Sequence, residues 1–94
     1  MKLVQVKKSS NKNKKYVAVF SIDDKEKQVH FGAKGMDDFT ITKDEEQRKR
    51  YRARHKKDLE TNDPTRAGYL SYFILWNKPT IKESIKDYKQ RFNL

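Results

Sequence analysis

Ten consecutive residues, Arg48-Lys49-Arg50-Tyr51-Arg52-Ala53-Arg54-His55-Lys56-Lys57, hold the densest charge in this sequence, and their chemistry suits a polyanion. Guanidinium and ammonium groups displace counterions from a phosphate backbone, and Tyr51 could stack on an exposed base. The expected nucleic-acid contacts are Lys34, Arg48, Lys49, Arg50, Tyr51, Arg52, Arg54, His55, Lys56 and Lys57, with Lys12, Lys14 and Lys15 as additions. The competing reading is a solvated helix face without a ligand, its cations engaged by the acidic turn before them in i,i+4 pairs such as Glu46 with Arg50. No zinc-finger, homeodomain or RNA-recognition signature is present, so binding would rest on phosphates and not on base edges.

Other constellations are weaker. Gly32-Ala33-Lys34-Gly35 could bring backbone amides to a phosphate, but it lacks the spacing of either phosphate-binding fingerprint and reads better as a turn ending a strand. His30 and His55 with Asp37, Asp38, Glu45 and Glu46 contain the ligand types of a metal-dependent nuclease. Their spacing does not require one, so no catalytic residue, metal ligand or cofactor is assigned and the protein is read as non-enzymatic. Among the aromatics, Tyr72, Phe73, Tyr88 and Phe92 are core material, whereas Tyr69 and Trp76 lie on a stripe away from Leu70 and Ile74. Those two could form an exposed patch for a protein partner.

The elements that would position these residues fall into two halves, mainly β over 1–42 and mainly α over 43–94, within a single domain. Val4 and Val6 alternate with Leu3, Gln5 and Lys7; Tyr16 to Ile22 is β-branched and aromatic; Val29, Phe31 and Ala33 alternate once more. Asp23-Asp24 supplies a tight turn. The pattern predicts a three-stranded antiparallel meander, with Asp38–Thr42 as a fourth, edge strand. Either Tyr16, Ala18, Phe20 and Ile22 or Val17 and Val19 would face inward.

Thr42 as N-cap with Glu45 three residues on predicts a basic helix from about Lys43 to Leu59. The run from Asp63 to Asn77 is the only long one more apolar than charged; Asp63 as N-cap and Pro64 at the first helical position predict a central helix there. A second capping box, Thr80 with Glu83, starts an amphipathic helix marked by Ile81, Ile85, Tyr88 and Phe92. The fold class is therefore α+β, a meander of three or four strands packed against two to three C-terminal helices.

Composition narrows the function classes. The chain of 94 residues has a net charge of +10 and no cysteine. Disulfides and thiolate metal sites are excluded, and attraction to polyanions is expected. Basic residues outnumber acidic ones nine to three over 1–35 and six to two over 64–94, whereas the middle is balanced at eight each. The N-terminus lacks the apolar core of a signal peptide and no run could span a bilayer, so an intracellular protein without a membrane partner is expected.

Phe31-Gly32-Ala33-Lys34-Gly35, Asp38-Phe39-Thr40, Arg50-Tyr51, Arg54-His55, Ala67-Gly68-Tyr69-Leu70-Ser71 and Leu75-Trp76-Asn77-Lys78-Pro79-Thr80-Ile81 with Ser84-Ile85 follow one another in an order that resembles a family of small basic proteins encoded by large nucleocytoplasmic DNA viruses of eukaryotes. The resemblance covers roughly residues 29–92 and carries no established activity. It implies a protein found in the host cytoplasm or nucleus, or packaged in the virion, where a basic domain could meet the genome or other virion proteins. Two functions follow as expectations: sequence-independent binding of DNA or RNA, and a structural virion component that contacts acidic proteins. A small nuclease is the third.

Overall fold

The computed structural model describes residues 1–94. Three strands, β1 (Lys2–Lys8), β2 (Lys14–Ile22) and β3 (Lys25–Ala33), form an antiparallel sheet in the order β1-β2-β3. The β2–β3 hairpin turns on Asp23 and Asp24, both at positive φ, which matches the right-handed twist of the strands they join. The helices follow, giving the α+β architecture expected from the patterning.

The even-numbered face of β2 is the inner one. Ala18 and Phe20 are fully buried with Phe31 of β3, and they share one core with Leu70, Phe73, Ile74 and Tyr88. Val17 and Val19 on the opposite face are also nearly buried, although they belong to no helix-covered core. Lys7 and His30 lie directly across from Val17, and Gln5 and Gln28 from Val19, so long polar neighbours shield them with their stems.

β1 departs from simple alternation. A register shift between Leu3 and Gln5 lets Leu3 pair with Phe20 and Val6 with Ala18, so both point inward although they are three residues apart. Val4, expected beside Val6, is the residue left over and is exposed.

Beyond the sheet the structure corrects several boundaries. Asp38–Thr42 is no edge strand. Buried Asp38 caps a one-turn helix, α1 (Phe39–Thr42), by accepting from the Thr40 amide at 2.8 Å. The Asp38 carboxylate also takes the Lys15 ammonium of β2 at 2.6 Å, which ties α1 to the sheet.

Lys43 then enters the left-handed region, so Thr42 cannot begin the next helix. Asp44 does so instead, its carboxylate accepting from the amides of Glu46 and Gln47. The resulting α2 runs Glu45–His55 and tightens into a 3-10 segment, Lys56–Thr61, before Asn62 ends it at positive φ.

The apolar segment is shorter and less regular than its periodicity suggests. Asp63 bonds the Thr65 amide and hydroxyl, folding Asp63–Arg66 into a turn; the helix starts only at α3 (Ala67–Leu70). It widens at once into a π-helix, Ser71–Leu75. The Thr80 cap forms as expected, with Glu83 N–H donating to the Thr80 hydroxyl, and α4 (Ile81–Arg91) follows. The Tyr88 hydroxyl of α4 donates to the Pro64 carbonyl, locking the last helix to the turn before α3. No helix is long and apolar enough to cross a membrane.

Candidate nucleic-acid interface

The basic residues of α2 and of the 3-10 segment that continues it divide into two groups. Arg48 Nη1 donates to the Asn77 carbonyl at 2.7 Å, and its guanidinium lies 4.6 Å from the Phe39 ring centroid. One turn on, Arg52 Nη1 donates to the Trp76 carbonyl at 2.8 Å and the Tyr72 carbonyl at 3.3 Å, over the Tyr72 ring. The carbonyls that end a helix have no intrahelical donor and carry the negative end of its dipole, so a guanidinium fork suits them well. Burial lowers the Arg52 pKa from its ordinary value. Arg48 and Arg52, expected among the phosphate contacts, are therefore structural bolts.

Tyr51 is corrected in the same way. Its ring stacks on Trp76 at 4.3 Å with planes 9° apart and on His55 at 4.1 Å. Two rings at such distances cannot share one face, so both faces of Tyr51 are occupied and neither is open to a base. Burial, with the Asp58 charge nearby, pushes the Tyr51 hydroxyl pKa up.

Lys49, Arg50, Arg54, Lys56 and Lys57 form the second group. All five are exposed, and none lies within ion-pair distance of a carboxylate. The expected Glu46–Arg50 pair is not made; the helix's own pair is Arg48 with Glu45 at 4.0 Å. Lys34 is exposed but stands apart, lining a hollow with Lys8, Ser9 and Tyr16. Lys15 is committed to Asp38.

Tyr69 and Trp76 make no exposed patch. Each is 6% exposed, and the Tyr69 hydroxyl donates to the Leu59 carbonyl at 2.6 Å. The 3-10 segment and α2 cover the side of the apolar helix that the sequence left open. The exposed large apolar residues are Met1, Val4, Met36 and Ile41 instead.

Of the nuclease constellation, Asp37, Asp38 and His55 line one cleft, whereas His30, Glu45 and Glu46 lie outside it. His30 Nδ1 meets the Ser9 hydroxyl at 2.6 Å, His55 Nδ1 meets Asp58 at 3.1 Å and Asp38 is held by Lys15. No three His, Asp or Glu side chains gather closely enough to hold a metal ion.

One feature has no counterpart in the sequence patterning. A cleft of about 580 Å³ opens between the Gly32–Asp38 segment and the joined surface of α2 and the π-helix, with Lys15, Asp37, Gln47, Tyr51, Arg54, His55, Ser71 and Trp76 in its wall. Four separate stretches build it, and no local pattern marks their meeting. Gly32, at φ 80°, makes the close approach: a Cβ there would lie 2.8 Å from Leu75 Cδ1.

Residues 4–55 match a family of unknown function, DUF5754, and that is more than half of the chain. The chain belongs to the DUF5754 family. The DUF5754 match takes in the sheet, α1 and α2, and so includes the basic helix and its anchoring arginines. It begins at the first strand, upstream of the motifs between residues 29 and 92, and stops before the apolar helix those motifs include. No curated protein and no solved structure matches the chain.

Proposed function

We propose that this protein binds nucleic acid through phosphate contacts, largely without sequence preference, and that Lys49, Arg50, Arg54, Lys56 and Lys57 are its principal contacts. The observation that carries this reading is the partition of α2. One side is bolted to the end of the π-helix by Arg48 and Arg52, and the other presents unpaired Lys49, Arg50 and Arg54, continued by Lys56 and Lys57 of the 3-10 segment. A net charge of +10 adds long-range attraction. The viral setting, which rests on the motif resemblance alone, would supply a genome as the polyanion.

The test is equilibrium binding to DNA and RNA across a salt series. The logarithm of affinity should fall linearly with the logarithm of salt, and each charge removed from the five should lower the slope by about one. Changes such as Arg50→Gln should weaken binding to all sequences alike. A flat salt dependence would overturn the reading.

A further inference from the structure

The cleft beside α2 holds groups that phosphate binding does not use. We infer that it receives one unpaired nucleobase, so that the nucleic acid this protein takes is single-stranded; this rests on the phosphate-contact reading above.

Arg54 connects the two surfaces. It lines the cleft and also the shallow basic hollow that it shares with Lys56 and Lys57, so a strand following the cations passes the cleft mouth.

At that mouth stands His55. One face of its ring rests on Tyr51, which rests on Trp76, and its Nδ1 is held by Asp58. Its side chain is still 42% exposed. His55 is thus the accessible end of a three-ring column whose other members are packed, a stacking platform with little ordering left to do.

The polar wall suits a base better than a phosphate. Asp37 is exposed and has no cation partner within ion-pair distance, and a carboxylate repels phosphate but accepts hydrogen bonds from the amino groups of a base edge. Gln47 accepts from the Thr42 hydroxyl at 2.9 Å through its carbonyl oxygen, which leaves its amide donors for a base carbonyl. The volume, about 580 Å³, lies within the range of small-molecule sites. A paired base is stacked inside its helix and cannot enter, whereas an unpaired one can.

Trp76 is the only tryptophan, so its emission reports on the column. The full chain would be titrated with a single-stranded oligonucleotide of about 12 nucleotides and with its duplex, at matched salt. The single strand should bind about tenfold tighter or more and change the Trp76 emission, with no emission change for the duplex. His55→Ala should remove the emission change and most of the preference while leaving the salt slope intact. Asp37→Asn should reduce the preference for oligo-dC over oligo-dT. Equal affinity for both forms without an emission change would overturn the cleft assignment and leave the phosphate reading standing. Binding to neither would overturn both.

Discussion

The guanidinium of Arg52 sits 2.8 Å from the carbonyl oxygen of Trp76, a residue that is itself stacked on Tyr51 one position before that arginine. Two adjacent residues of α2 thus grip one residue at the end of the π-helix, Tyr51 by its ring and Arg52 by its backbone. The basic helix owes its place on the molecule to this grip, since the helix buries no residue of its own.

Arg52→Ala should therefore behave as a core substitution. Losing the charged hydrogen bonds is expected to cost about 1.5–3 kcal/mol, read as a lower urea midpoint with an unchanged slope. Arg52→Lys should recover little, because an ammonium that donated to both carbonyls would leave no planar group to lie over the Tyr72 ring. Lys49→Ala, one turn away on the open side, should stay within about 0.5 kcal/mol of the parent. Equal effects at positions 49 and 52 would show that the division of α2 into bolts and free cations is wrong.

Gly32 and Gly35 separate backbone strain from crowding. Both have positive φ, but a Cβ on Gly35 would meet nothing within 4 Å, whereas one on Gly32 would meet Leu75. Gly35→Ala should cost the left-handed penalty alone, about 1–2 kcal/mol. Gly32→Ala should cost more by an overpacking contribution of about 1–3 kcal/mol. Thermal midpoints of the two variants, measured side by side, check the difference; equal shifts would mean that Leu75 moves aside freely.

Asp38 and Lys15 form the one ion pair in which both side chains are largely withdrawn from water, at 2% and 13% exposure. Asp38→Ala strands the Lys15 ammonium and removes the α1 cap, and about 3–5 kcal/mol of destabilisation is expected. Against a total of roughly 5–15 kcal/mol for a small domain, that is a large fraction and should read as a clearly lowered melting midpoint by circular dichroism. Asp38→Asn keeps an acceptor for the Thr40 amide and should fall between the two. Indistinguishable melting of Asp38→Ala and the parent would show the pair to be dispensable.

Acid should weaken the fold through two aspartates. Hydrogen bonds from the Thr65 hydroxyl and amide hold the Asp63 carboxyl below its ordinary 3.8. Burial pushes the Asp87 carboxyl up, but hydrogen bonds from Asn77 and Arg91 outweigh it and the net shift is also downward. A depressed native pKa means that the unfolded chain binds protons first as pH falls. The contribution is thus complete above the ordinary carboxylate value and is lost as pH drops through the native one. Stability from these groups should be level between pH 7 and about pH 5 and decline below about pH 4, with a shallower decline in Asp87→Asn. An unaltered acid limb in that variant would remove Asp87 from the account.

The sheet and the last helix were legible because their signals are local. Alternation in Tyr16–Ile22, the Asp23-Asp24 turn and the Thr80 cap each involve neighbours in sequence, and each forms where expected. What the sequence did not disclose depends on distant partners. Arg48 and Arg52 look like their neighbours until the carbonyls of residues 72, 76 and 77 are placed beside them. Val4 looks like Val6 until β2 imposes a bulge on β1. Trp76 looked exposed because the helix that covers it has almost no apolar residues with which to announce the contact. Asp38 resembled a strand residue because its capping role shows only once the chain has turned.

The π-helix at Ser71–Leu75 gives the fold one place where the residue count can fall by one. Its wider turn takes up one residue more than an α-helical turn would. Removing one residue there would leave an α-helical turn of the same angular span, so the segments on either side would keep their relative facing. Tyr69 and Leu70 would go on facing the core, and the Trp76 carbonyl would stay beside Arg52. A single-codon deletion in this stretch should therefore be tolerated better than one inside α4, whose ordinary winding has no residue to spare.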